Sequence, residues 1–195
     1  MKNTKIEFSD IVSNEVYSKQ RKEIRTEIIK LKKYRRIDVG PVISLYFENK
    51  ETMIYQIQEM ALTENIKPED LKNEIEAYSP LVPQGEELVA TLMIEIDDVI
   101  RRKNFLARLG GIEQKVKIII GKEIIYAKAE EDLDRTTADG KASSVHFLHF
   151  NFTQDLIKKF KSTDEIIQLG IEHDHYGHMA ILSKNNLDAL SKDFI

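Results

Sequence analysis

The hydrophobic pattern of this chain changes period once, near Gly85, and that change limits the folds open to it. Before it, apolar residues recur at helical spacing. Tyr17, Ile24, Ile28 and Leu31 form one stripe, which predicts a helix over about 14–35, capped by Ser13 or Asn14. Met53, Ile57 and Met60 form another, which predicts a helix over about 50–64 with Thr52, Gln56, Glu59 and Thr63 on a polar stripe. Pro68 suits the first position of a third helix, about 67–77. Only Pro41-Val-Ile-Ser-Leu-Tyr-Phe47 interrupts this half, as a short buried strand.

After Gly85 the runs are strand-like. Residues 87–96 are apolar on both faces, 116–120 and 123–128 flank Gly121-Lys122 as a tight hairpin, and 145–152, 166–172 and 179–182 complete the set. Shorter helices are expected at about 97–109, 154–160 and 186–193. The expected class is α+β, with a helix-rich N-terminal half packed on an antiparallel sheet formed mainly by the C-terminal half. With 195 residues, one domain is expected: a helical part over about 1–84 and a sheet-rich part over about 85–195, met at the two-proline loop 78–86.

Composition removes several chemistries. There is no cysteine, so disulfides, thiolate nucleophiles, cysteine-ligated zinc and cysteine-held iron–sulfur clusters are out. No stretch reaches 18 consecutive apolar residues, and acidic Glu7 and Asp10 interrupt the N-terminus, so the expectation is a cytoplasmic protein with no membrane partner. No Gly-x-Ser-x-Gly elbow is present. The net charge is −4, yet residues 1–40 hold 11 Lys/Arg against 6 Asp/Glu. The densest basic run, Lys30-Leu-Lys-Lys-Tyr-Arg-Arg36, is where RNA would bind through the N-terminal helix. A solvated helix face explains the same residues, and the acidic balance makes nucleic acid a weak expectation.

Three constellations can carry chemistry. All five histidines fall within residues 146–178. If His173 and His178 flank a four-residue turn they face each other across a hairpin. His146 or His149 could then approach from a neighbouring strand, with Glu172 or Asp174 as carboxylate. Such a set suits zinc or non-haem iron, with His146, His173 and His178 as candidate ligands. His146 and His149 are three apart, so they point to opposite faces of a strand. The second is the hydroxyl-rich loop 132–144, where Arg135 and Lys141 could hold a phosphate or carboxylate. The third joins Glu48 to the stripe Thr52, Gln56, Glu59. There Glu48 and Glu59 could form a carboxylate pair, partnered by Arg35 and Arg36.

Several stretches, taken in order, resemble one family. They are Tyr34-Arg-Arg-Ile-Asp-Val-Gly-Pro41, Leu45-Tyr-Phe-Glu-Asn49, Tyr55-Gln-Ile-Gln-Glu-Met60, Tyr78-Ser-Pro-Leu-Val-Pro83, Ala90-Thr-Leu-Met-Ile-Glu95, Asp139-Gly-Lys-Ala-Ser-Ser-Val-His-Phe-Leu148 and His173-Asp-His-Tyr176. Together they are similar to the bacterial proteins of domain-of-unknown-function family 3501, over about residues 15–190. The resemblance implies a single-domain protein with no assigned activity, whose genes lie beside those of rubrerythrin-like and iron–sulfur proteins. It implies no established catalytic residue. The positions matching its motifs are Arg36, Glu48, Gln56, Glu59, Lys141, His146, His173 and Tyr176. Two classes of function follow: a non-enzymatic accessory or binding protein serving redox or peroxide-stress proteins, and a histidine/carboxylate metal-binding protein or metalloenzyme.

Overall fold

The computed structural model describes residues 4–130 and 141–195. Among these residues the helices are α1 (Asn14–Lys32), α2 (Lys50–Thr63), α3 (Leu71–Tyr78), α4 (Val99–Leu106), α5 (Gln154–Ser162) and α6 (Lys184–Leu190). The strands are β1 (Arg36–Asp38), β2 (Ile43–Glu48), β3 (Glu87–Ile94), β4 (Val116–Ile120), β5 (Glu123–Tyr126), β6 (Lys128–Ala129), β7 (Val145–Asn151), β8 (Ile167–His173) and β9 (Tyr176–Ile181). The class is α+β. The helix starts follow from their capping residues: Ser13, Asn49, Thr153 and Ser183 each accept a first-turn N–H on the side chain.

Where one sheet was expected, two antiparallel sheets form. The first runs β1-β2-β3-β7-β6 and the second β5-β4-β8-β9. The reason lies in which side chains share a face. Leu45, Leu88, Leu92, Leu148 and Phe150 of the first sheet and Ile118, Leu169 and Ile171 of the second belong to one buried cluster, so the inner faces pack on each other. Of the three crossings between the sheets, the one from β5 to β6 takes a single residue, Ala127, whose N–H donates to Val116 O at 2.9 Å. Leu106 of α4, Ile157 and Phe160 of α5, Leu190 of α6 and Phe194 complete that cluster. Phe152, Phe160 and Phe194 meet edge to face, with centroids 4.8–5.7 Å apart.

The other face of the first sheet meets the N-terminal helices. Val89 and Phe147 point out of it and pack with Met53, Ile57 and Ala61 of α2 and Leu71 of α3. On the outer face of the second sheet Ile124, Tyr126, Met179 and Ile181 are exposed.

Three local readings shift. Helix α1 ends at Lys32, not near 35, because Arg36–Asp38 pairs antiparallel with β2. Helix α3 starts at Leu71, and Pro68 lies in the preceding turn. Strand β8 ends one residue later than expected, at His173, and β9 starts three residues earlier, at Tyr176. His173 pairs with Tyr176, so the turn is Asp174-His175, two residues and not four. Tyr176 causes this: its ring is buried, lies edge-on to Phe105 at 5.9 Å, and its hydroxyl donates to Val39 O at 2.6 Å. The Gly121-Lys122 hairpin forms as expected, with Gly121 at φ +59°.

Gly40 and Gly111 both hold φ near +77°, at +76° and +78°. A Cβ on Gly40 would stand 2.5 Å from Tyr176 Oη and 2.6 Å from His178 Cγ, whereas one on Gly111 would meet nothing within 4 Å. Gly111→Ala therefore costs about 1 kcal/mol, from backbone strain alone. Gly40→Ala costs roughly 2–4 kcal/mol, since a buried ring must also shift. Urea unfolding of the two variants checks the difference.

Candidate functional site

The polar side chains gather at the open part of the first sheet's outer face and at the start of α2. Arg35, 2% exposed, is the most deeply buried of its charged side chains. Its Nε donates to Phe47 O at 2.8 Å, Nη2 to Glu48 O at 2.9 Å and to the Asp193 carboxylate, and Nη1 to Ala189 O at 3.2 Å. A guanidinium offers five N–H donors in a fixed fork, which is why an arginine can tie two strand carbonyls, a helix end and a carboxylate at once.

Beside it, the buried Glu48 carboxylate accepts from Thr52 Oγ1 at 2.6 Å and Thr91 Oγ1 at 2.8 Å. Next along the same face, Arg36 donates to Asp38 Oδ1 at 2.9 Å and Glu95 Oε2 at 2.9 Å. Buried Ser44 lies 2.7 Å from Asp38 Oδ1 and 2.8 Å from Glu95 Oε2, and its single proton serves one of them at a time. Tyr46 donates to Glu95 Oε1 at 2.8 Å; burial and that carboxylate push its hydroxyl up to about 12. The strand register makes this row, since Arg36 pairs with Tyr46 and Asp38 with Ser44.

The expected Glu48–Glu59 pair does not come together. Eleven residues separate them, most of that along α2, about 15 Å of helical rise. Glu59 instead accepts from Tyr17 Oη at 2.6 Å and from Arg21 Nε and Nη2 at 2.9 and 2.8 Å. The Arg21 guanidinium holds its carboxyl below the usual range. Arg35 and Arg36 serve Asp193 and the Asp38–Glu95 pair, not a common site. Gln56 is half-buried and stands near the Tyr78 hydroxyl.

Nor do the histidines converge. His146 is fully buried on the inner face of β7, with Nε2 donating to Ser143 O at 2.9 Å and Nδ1 3.6 Å from Glu113 Oε2. His173, at the hairpin end, donates from Nε2 to Gly110 O at 3.3 Å. His178 pairs with Ile171, two positions from His173's pair, and its ring lies on Tyr176 at 4.5 Å. The two-residue turn thus separates the pair that a four-residue turn would have opposed. Among the described residues, no three His, Cys, Asp or Glu side chains form a group that could hold a metal ion.

His149 does face the other way from His146, and two carboxylates clamp it. Nδ1 lies 2.9 Å from Glu87 Oε2, and Nε2 3.7 Å from Glu130 Oε1. The Glu87 hydrogen bond, first of its causes, raises its pKa above the ordinary 6.5.

The basic run 30–36 is engaged within the fold. Lys30 pairs with Glu27 at 2.7 Å, Lys32 lies over Tyr55 and Lys33 over Tyr34, and Arg35 and Arg36 are placed as above. The phosphate-loop reading of 132–144 falls largely on residues 131–140, outside the described residues; Lys141 is described and exposed.

One feature escaped the sequence reading: the outer face of the second sheet. Across it stand Ile124 (48% exposed), Tyr126 (54%), Met179 (56%) and Ile181 (66%). Gly170 and Gly177 leave a trough between them, crossed by the Lys117–Glu172 ion pair. Its signal was present in Glu123-Ile-Ile-Tyr126, where both parities are apolar though only one can face the core. Among the described residues no helix is long and apolar enough to cross a membrane.

Residues 5–194 match the family model described as "Protein of unknown function (DUF3501)". A crystal structure of a novel protein of unknown function from Burkholderia pseudomallei superposes with a TM-score of 0.90. It is 35% identical, over 97% of this chain and 99% of that one. No curated protein matches.

Two outcomes follow from the geometry. Asp193→Ala leaves the buried Arg35 without its carboxylate and costs about 3–5 kcal/mol, while the double change Arg35→Met, Asp193→Leu loses far less; chemical denaturation of both variants tests this. The second concerns pH. The raised folded pKa of His149 means its clamp stabilises fully below the unfolded value of about 6.5 and weakens as pH rises through the folded value. His149→Gln therefore lowers stability by about 1–2 kcal/mol at pH 5.5 and by less at pH 9, as melting across that range would report.

Proposed function

We propose, for a chain that belongs to the family of proteins of unknown function DUF3501, a role as a non-enzymatic accessory protein that docks on a redox protein of the rubrerythrin-like or iron–sulfur kind. One observation carries the reading: the exposed apolar side chains that the two edge strands β5 and β9 set on the outer face of the second sheet, Tyr126, Met179 and Ile181 among them, flanking the Lys117–Glu172 ion pair. A strand alternating apolar-in and polar-out would place polar groups there. An apolar patch of this sort marks a contact surface.

Its size favours a transient contact. Four strands at ~4.8 Å spacing and five or six residues at ~3.3 Å rise give a footprint of roughly 300–400 Å². That is about half of the ~800 Å² per partner in a stable complex and in the range of weak redox encounters. The chain has no cysteine, so it offers neither a redox thiol nor a cysteine-held cluster, and in this reading the redox centre is the partner's. The compartment proposed is the cytoplasm.

The purified rubrerythrin-like and iron–sulfur proteins of the same genome supply the test. The expected result is micromolar binding to one of them, lost at least tenfold in Met179→Asp and in Ile181→Asp, with melting temperature within about 2 °C of the parent. Binding to neither protein, or binding unchanged in both variants, overturns the reading.

A further inference from the structure

A cavity of about 230 Å³ lies where the end of α1, the start of α2, the 82–83 loop and the segment after α6 meet. None of its lining residues belongs to the second sheet, and nothing in the role proposed above uses it. Arg35 forms its floor, Lys50 and Lys192 stand in its wall, and Asn49 and Glu51 continue the wall along the first turn of α2.

Two sets of donors there are incompletely used. Four of the five guanidinium N–H bonds of Arg35 have acceptors: one on Nε, two on Nη2 and one on Nη1. The second Nη1 hydrogen has none among the described residues, on a side chain 2% exposed. An unmet donor at such depth is costly unless a ligand or water meets it. Independently, the first helical bond of α2 runs from Met53 N to Asn49 O, and Thr52 N is taken by Asn49 Oδ1. The N–H groups of Lys50 and Glu51, ahead of that bond, are unpaired within the helix, and both residues line the same space.

We propose that this cavity binds a small oxyanion, a carboxylate or a phosphate. The free Nη1 hydrogen of Arg35 and the backbone N–H groups of Lys50 and Glu51 would donate to its oxygens. The ammonium groups of Lys50 and Lys192 would supply countercharge. The acids of the neighbourhood limit the ligand. Asp193 is bound to Arg35 and Asp10 to Lys50 at 2.8 Å, and Glu51 adds a third carboxyl to the lining. That near balance of charge favours a singly charged anion. The volume lies below the ~300–1,000 Å³ of pockets for drug-sized ligands, so a nucleotide does not fit.

Sodium acetate and sodium phosphate, titrated separately at constant ionic strength against sodium chloride, test the proposal by calorimetry and thermal shift. The expected result is saturable millimolar binding of one or both, and which one binds identifies the class. Two variants locate it. Ala189→Leu narrows the cavity while leaving the Ala189 carbonyl to Arg35, and Lys192→Gln removes one ammonium. Each should weaken binding about tenfold or more with an unchanged circular dichroism spectrum. If Ala189→Leu does not fold, Lys192→Gln alone decides. No saturable response to either anion, or affinity unchanged in the folded variants, overturns the site.

Discussion

Burying one guanidinium constrains much of this architecture. Arg35 sits just after α1 and binds the last two carbonyls of β2, a carbonyl of α6 and the carboxylate of Asp193. Removing a charge from water costs several kcal/mol, which only a matched partner and well-placed acceptors offset. The segment that follows α6 must therefore lie against the start of the chain. Phe194 then enters the aromatic cluster with Phe152 and Phe160. One desolvated ion thus fixes how the helices α1, α2 and α6 approach the first sheet.

The two faces of the first sheet divide their labour by burial. Its inner face meets the second sheet through aliphatic and aromatic side chains alone, apart from His146. Its outer face mixes an apolar region under α2 with two polar rows, Glu48–Thr52–Thr91 and Arg36–Asp38–Ser44–Glu95. These rows close on themselves: carboxylates find hydroxyls or arginine, and the arginine finds both carboxylates. Such networks rigidify a sheet edge. They differ in this from the outer face of the second sheet, where Ile124, Tyr126, Met179 and Ile181 stand exposed.

The α+β class, the family and most element positions were legible because period and capping are local properties. Ser13 marked the start of α1, and Gly121-Lys122 marked a hairpin. What failed was decided at a distance. Nothing near Arg36 says that it forms a strand, because β1 exists only by pairing with β2. The division into two sheets depends on which apolar faces meet, and periodicity is silent on that. The histidine cluster was close in sequence, yet a turn two residues shorter than expected moved His178 out of register with His173. Arg35 was read as a partner for Glu48 and Glu59, because its true partner lies 158 residues on.

That separation also bears on how the protein is made. A ribosome delivers residue 35 long before residue 193, so the Arg35 guanidinium must stay hydrated until nearly the whole chain has emerged. The carbonyls of Phe47 and Glu48 wait with it, and α2 cannot dock finally on the first sheet. Strand β3 likewise lacks its neighbour β7 for some sixty residues of synthesis, judging from the Glu87–Asn151 and Leu88–Phe150 register. Folding of this kind is governed by non-local contacts and is slow. The nascent chain spends that interval with bare strand edges, and it is then that chaperones have the most to bind.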